Sequence, residues 1–245
     1  MTQSPQNAPR VIAVETAGPV GSVAIALGGQ LLAERTFAAT AGHGRDLLPL
    51  ADELCREVGW RPADLNECYL SIGPGSFTGL RVAVAFARHL ALACGTWIVA
   101  VPTLESIAWN WVDANLGKPG PIAVWVEAKK GMVFAARFEV VSGALHALHE
   151  RSMVVPTEYL AQPPRPSFVT GSGVAQHLQA IRDLGLEVAP EHLWPSNARG
   201  ILALGTLRAQ SGHFTEPTAL TPMYVRRPEA EELWEKRQAS ESKPK

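Results

Sequence analysis

Residues 69–94 read YLSIGPGSFTGLRVAVAFARHLALAC, and the passage from strand to helix inside this stretch decides the architecture. Tyr69 to Ile72 is a short apolar run of strand type, and Leu80 to Cys94 is an alanine-rich helical run. Between them lies Gly73-Pro74-Gly75-Ser76-Phe77-Thr78-Gly79-Leu80-Arg81, with its glycines spread along a loop built for shape. Glycine reaches backbone angles closed to other residues, Pro74 stiffens the turn, and Ser76 or Thr78 is placed to cap a helix beginning near Gly79. A turn of this kind aims several N–H groups one way. It holds an anion, or it makes a tight strand-to-helix connection, and the residues leave both readings open.

Known catalytic loops do not fit. A Walker loop requires Gly-Lys-Ser/Thr where Gly79 is followed by Leu80, and the dinucleotide fingerprint G-x-G-x-x-G has its third glycine one residue earlier than here. A nucleophile elbow needs G-x-S-x-G, but Ser76 directly follows Gly75.

Working outward, residues 11–16, 21–27 and 30–37 alternate as strands, the last two joined by Gly28-Gly29 as a hairpin. A helix over 46–58, a strand over 67–72, the loop and its helix, and a strand over 97–101 complete the order βββαβαβ. That order belongs to the ribonuclease H and actin-like α/β class. The second half partly repeats it, with strands near 122–127, 131–138, 145–155 and 167–171 and helices near 173–184 and 197–211. The expected organisation is an extension over 1–10, a first actin-like lobe over 11–110, a degenerate second lobe over 111–227, and a C-terminal helix with a disordered tail over 228–245. Pro119-Gly120-Pro121 marks the change of halves, and Pro163-Pro164-Arg165-Pro166 is a stiff loop.

The segment SIGPGSFTGLRVAVAFARHLALA (71–93) closely resembles the signature of the TsaB (YeaZ) family, which is needed to make threonylcarbamoyladenosine in tRNA. VIAVETAGPVGSVAIA (11–26) is similar to that family's first hairpin, HGRDLLPLADELCREVG (43–59) to its first helix, and VPTLESIA (101–108) to the turn that follows. VWVEAKKGMVFAARF (124–138) and PMYVRRPEAEELWEKR (222–237) resemble its second-half hairpin and C-terminal signature. The resemblance implies an actin-like, two-lobed fold and a non-catalytic role beside a TsaD-like enzyme, which transfers threonylcarbamoyl to an adenosine next to the anticodon. A TsaE-like ATPase completes the implied set. The chain alone is expected to form a homodimer and to meet tRNA only through the complex.

Composition agrees with such a role. The net charge is −1, from 22 Lys and Arg against 23 Asp and Glu, so the long-range attraction of an autonomous nucleic-acid binder is missing. Lys129-Lys130 and Arg226-Arg227 read as a solvated turn and a solvated strand end. Cys55, Cys68 and Cys94 lack C-x-x-C spacing and sit in apolar patterns, as reduced thiols do. No run approaches the roughly 18 apolar residues of a membrane span, and MTQSPQNAPR has no apolar leader core. A soluble, cytoplasmic protein without membrane contact is expected.

Candidate chemistry is thin. Glu15 stands at the end of the first strand, where actin-like kinases and ribonuclease H-like nucleases keep a carboxylate, but metal-dependent cleavage needs further converging acids. Glu34 alternates outward and Glu67 begins its strand. Glu15 and Thr16 read first as structural or interface residues, and Gly171 and Gly173 of a Gly-Ser-Gly turn as a plain strand-to-helix connection; all four remain as possible nucleotide or anion contacts. His43 would match one of two H-x-x-x-H histidines that the resemblance implies for TsaD, but Leu47 occupies the second position. His146 and His149 fall on opposite faces of a strand. No metal, cofactor or catalytic residue is expected. A glycoprotease-like peptidase and an actin-like small-molecule kinase remain as alternatives.

A helix face is the best functional surface in the sequence. Only Arg81, Arg88 and His89 are polar between Leu80 and Cys94, which leaves more apolar surface than one sheet covers. Leu47, Leu50, Ala51 and Leu54 of the first helix, with Leu80, Val84, Ala87, Arg88 and Ala91 of the second, are the expected interface with a partner.

Overall fold

The computed structural model describes residues 8–38, 43–115, 120–142 and 144–223. Most of the expected N-terminal extension, Pro119, Arg226-Arg227, the segment 228–245 and nearly all of the C-terminal signature lie outside them.

Two five-stranded sheets organise the chain. The first takes β1 (Arg10–Glu15), β2 (Val20–Leu27), β3 (Gln30–Ala38), β4 (Glu67–Ser71) and β5 (Trp97–Val101) in the order β3-β2-β1-β4-β5. β1 pairs antiparallel with β2 and parallel with β4, so the opening meander and the later strands meet at β1. Helices α1 (His43–Glu57) and α2 (Phe77–Cys94) connect β3 to β4 and β4 to β5. Ser76 is the residue that caps α2, its hydroxyl accepting from the Gly79 N–H.

After β5 comes α3 (Thr103–Asn115), where the sequence reading had a turn over 101–108. Leu104, Ile107, Ala108, Trp111 and Val112 carry the apolar spacing of a helix and all are buried. The second sheet holds β6 (Gly120–Glu127), β7 (Val133–Val141), β8 (Ala144–Val154), β9 (Phe168–Thr170) and β10 (Glu187–Val188), ordered β10-β9-β6-β7-β8. Strand for strand this repeats the first sheet. Its helices are reduced: α4 (Pro156–Ala161) was not anticipated, and the helix expected over 173–184 is a 3-10 turn, Ser172–His177, running into α5 (Leu178–Asp183). The last helix, α6 (Ala198–Gln210), is capped by Asn197.

Strand alternation assigns the layers. Ile12, Val14, Val23, Ile25, Cys68 and Leu70 face α1 and α2, while Val11, Ala13, Ala24, Ala26, Tyr69, Val99 and Val101 face α6. In the second sheet Ile122, Val124, Ala136 and Phe138 face α3, whereas Trp125, Val133, Ala135 and Val169 turn to the opposite side with Tyr159, Val174 and Ile181. Each half therefore covers the other's inner face, since α3 leaves the first sheet to pack on the second and α6 returns to the first. The boundary expected at residue 110 falls inside α3. Helices α3 and α6 lie against each other in the middle, and Gly200 makes the approach possible, because a methyl there would lie 2.6 Å from Ser106 Oγ.

Helix α2 spans 18 residues at a mean hydropathy of 1.3, long and apolar enough by these measures to cross a membrane, contrary to the expectation from apolar runs. Its inner side, Ala83, Val84, Phe86 and Ala87, packs in the core with α1 and the first sheet.

Candidate functional site: a buried polar seam and an outward helix face

Two features stand out around the loop of residues 73–81. The first is a set of polar groups at the end of the first sheet. The alternation that points Ala13 and Tyr69 at α6 also points Glu15, Ser22 and Ser71 that way, side by side on β1, β2 and β4. Glu15 is completely buried. Its Oε1 accepts from the Ala17 N–H and from Ser71 Oγ at 3.0 Å, and its Oε2 meets Ser196 Oγ. Ser196 Oγ is also 2.9 Å from Ser106 Oγ on α3. Nearby, Asn110 donates to the carbonyls of Leu193 and Pro195, Asn197 donates to Asn110 Oδ1, and the Ala198 N–H donates to Ser22. Burial pushes the Glu15 carboxyl above its ordinary range, outweighing the hydrogen bonds from Ser196, Ala17 and Ser71 that pull the other way.

This geometry changes several expectations. Glu15 and Thr16 are wholly enclosed, and Thr16 Oγ1 donates to the Gly79 carbonyl at 2.8 Å, so neither presents a surface to a nucleotide or anion. Gly171 and Gly173 are likewise buried, packed against Trp125. Glu34 does not point away from the body of the protein; its carboxylate pairs with Arg199 of α6 at 2.6 Å. The signature loop itself is committed to packing. Gly75 is pressed so closely on Ala17 that a methyl would lie 2.5 Å from the Ala17 carbonyl, and that carbonyl accepts from the Ser76 N–H. The Gly73 carbonyl accepts from the Thr103 N–H, and Gly73, Pro74 and Gly79 are buried. Phe77, Thr78 and Arg81 are exposed, with the Arg81 guanidinium 3.8 Å from the Phe77 ring centre.

The second feature is the outward side of α1 and α2, where the residues differ from those expected. Leu47, Ala51, Leu54, Leu80, Val84 and Ala87 are buried in this chain's own core. Leu50 and Ala91 pack partly against the same core, and Arg88 donates to the Leu220 carbonyl at 2.8 Å. On a helix apolar all round, the sequence does not say which side meets the sheet, and the sheet has taken this one. The outward stripe of α2 runs Phe77, Arg81, Ala85, His89, Leu92 and Ala93, at helical spacing. Leu92 is 82% exposed, and Leu48 of α1 is 62% exposed.

Other candidates separate cleanly. Leu47 is buried at the position paired with His43, which is the first residue of α1, and among the described residues no three or more His, Cys, Asp or Glu side chains gather as a metal site. Cys55, Cys68 and Cys94 are free, the first two buried. Ser106, Asn110, Ser196 and Asn197 were not anticipated. Asn197 before an apolar helix was a legible cap, and Ser106 and Asn110 share one side of α3 at four-residue spacing.

Paired sheets of duplicated order, each with its third helix laid on the other, define an actin-like protein. The family described as tRNA N6-adenosine threonylcarbamoyltransferase (TsaD) matches residues 37–234. The chain belongs to this family, on its TsaB (YeaZ) side. It is 26% identical over 233 residues to the tRNA threonylcarbamoyladenosine biosynthesis protein TsaB of Bacillus subtilis, covering 91% of this chain and 97% of that one. To the Escherichia coli protein of the same name it is 27% identical over 178 residues, 73% of this chain and 76% of the relative. The solved structure of YeaZ from Pseudomonas aeruginosa shares the fold at a TM-score of 0.75 and 20% identity, covering 88% of this chain and 99% of that one.

Proposed function

We propose that this chain serves threonylcarbamoyladenosine synthesis as a non-catalytic partner that binds and stabilises or activates a TsaD-like enzyme in the cytoplasm, with a TsaE-like ATPase completing the set. The outward face of α2 carries the reading. Only 33% of this helix is buried, and the apolar residues on its outward side, Phe77, Ala85, Leu92 and Ala93, like Leu48 of α1, are surface that a monomer gains nothing by showing to water. The same surface suits self-association when the enzyme is absent, which makes the homodimer and the heterodimer alternatives.

A non-catalytic role is supported by Glu15, the carboxylate at the position used by actin-like enzymes. It is enclosed and its oxygens are occupied by Ala17, Ser71 and Ser196, so no substrate reaches it. The net charge of −1 favours tRNA held chiefly by another subunit.

The test is reconstitution with the TsaD-like protein of the same organism. The two should elute as one complex, and threonylcarbamoyladenosine in digested tRNA should require both. Transfer by this chain alone, or full transfer by the enzyme without it, would overturn the reading.

A further inference from the structure

The segment before α6 is where the chain crosses from the second sheet to the first. Ala189 still pairs with Val169 of β9, and the Trp194 indole donates to the Ala189 carbonyl at 2.7 Å, both on the second-sheet side. Two residues beyond Trp194, Ser196 touches Glu15 of β1, and at Asn197 α6 is capped and lies down on the first sheet. Glu15 thus grips the crossover at its midpoint. One carboxyl oxygen is bound at the end of the first sheet by Ala17 of the β1–β2 turn and Ser71 of β4, and the other reaches Ser196, which continues to Ser106 of α3.

We propose that Glu15 is the pin of a buried lock between the two lobes: with Ser71, Ser196 and Ser106 it fixes the crossover to the end of the first sheet and holds the lobes in one closed arrangement. The hydrogen-bond inventory closes without an ion. The single Ser196 hydroxyl proton cannot serve both Glu15 Oε2 and Ser106 Oγ, and a proton on Oε2 resolves this by letting Glu15 donate to Ser196 while Ser196 donates to Ser106. Oε1 accepts from Ala17 and Ser71. None of these partners carries a positive charge, and a lone ionised carboxylate without exposure would be costly. An actin-like protein that opens for a nucleotide needs its central seam free to part. Here the seam is tied by groups that find no water when closed and lose their partners when opened. The lock stands on this geometry and does not depend on the partner reading.

Hydrogen exchange followed by mass spectrometry on the full chain tests it, using Glu15→Ala, Glu15→Gln and Ser196→Ala. Glu15→Ala and Ser196→Ala should each speed exchange by about tenfold on both sides of the seam, around residues 15–22 and around 104–110 and 193–200, while β7 stays protected. Glu15→Gln, whose amide reproduces the donor toward Ser196 and the acceptor toward Ala17, should match the parent chain. If Glu15→Ala fails to fold, Ser196→Ala removes only the arm that spans the lobes and decides the matter. Faster exchange confined to the side carrying the substitution, or Glu15→Gln opening the seam as widely as Glu15→Ala, would overturn the lock.

Discussion

At position 200 the absence of a side chain is a packing requirement. A methyl there would sit 2.6 Å from Ser106 Oγ, which the seam's hydrogen bonds hold in place, and 3.0 Å from the Ser106 carbonyl of the backbone. Gly200→Ala should therefore lower stability by about 1–3 kcal/mol, read as a lower urea midpoint with an unchanged slope, even though alanine is the better helix former. An equal or higher midpoint would mean that α3 and α6 can separate freely. Glu15 makes a pH prediction of definite sign. Its folded pKa lies above the unfolded value of 4.5 because burial disfavours the anion, so its stabilising contribution is complete below that value and is lost as pH rises through the folded pKa. As pH rises above the unfolded value of 4.5, the parent chain should lose stability relative to Glu15→Gln, which does not titrate. A relative gain with rising pH would show that the carboxylate is charged in the fold. Glu15 was legible as a residue that mattered, since a carboxylate closing an apolar strand stands out. Its partner was not, because Ser196 lies 181 positions away and nothing local ties the two.

Among the elements, α2 shows both what periodicity reveals and where it stops. Its length, its apolar excess and its Ser76 cap follow from the sequence, as do the strands on either side and the glycine loop. Its orientation does not, because alanines at 83, 85, 87, 91 and 93 look alike until the sheet chooses a side. Ala87 proves fully buried and Ala85 exposed. Helix α3 was missed for another reason: VPTLESIA was matched to a turn, although Leu104, Ile107, Ala108, Trp111 and Val112 already carried helical spacing. The orientation of α2 sharpens the partner test. Ala85→Glu and Leu92→Glu should fold with stability within about 0.5 kcal/mol of the parent, since both positions face water in the monomer. Each should weaken association at least tenfold, because about 1.4 kcal/mol is enough for that and a charge stranded in a dry interface costs more. Ala87→Glu should unfold the chain instead. Sedimentation, co-purification with the TsaD-like protein and circular dichroism separate these outcomes. Undiminished association by both exposed variants would move the interface elsewhere.

At the scale of the whole molecule, the exchange of helices between halves predicts that this chain folds as one unit despite its internal repeat. The duplication itself was legible, as two meanders each followed by alternating helices and strands. Which sheet each third helix would cover was not, since α3 and α6 are both short amphipathic segments following a parallel strand, and sequence proximity favours the wrong sheet. The consequence is physical. A fragment of residues 8–115 contains every strand of the first sheet but lacks α6, leaving Val11, Ala13, Ala24, Ala26, Tyr69, Val99 and Val101 without cover. Restoring the larger of these to water forfeits roughly 1.5–3 kcal/mol each, together comparable with the roughly 5–15 kcal/mol by which a whole domain is stable. The fragment would also keep α3 with its buried face, Leu104, Ile107, Ala108, Trp111 and Val112, deprived of the second sheet. It should therefore be unfolded or aggregated when expressed alone, while the full chain unfolds in a single transition seen equally by tryptophan fluorescence and by far-ultraviolet circular dichroism. Adding residues 120–223 as a separate chain should restore α6 to its sheet and recover the native spectrum. A soluble fragment with cooperative unfolding of its own would show that the first sheet does not need the helix lent to it, and that the two halves are independent domains.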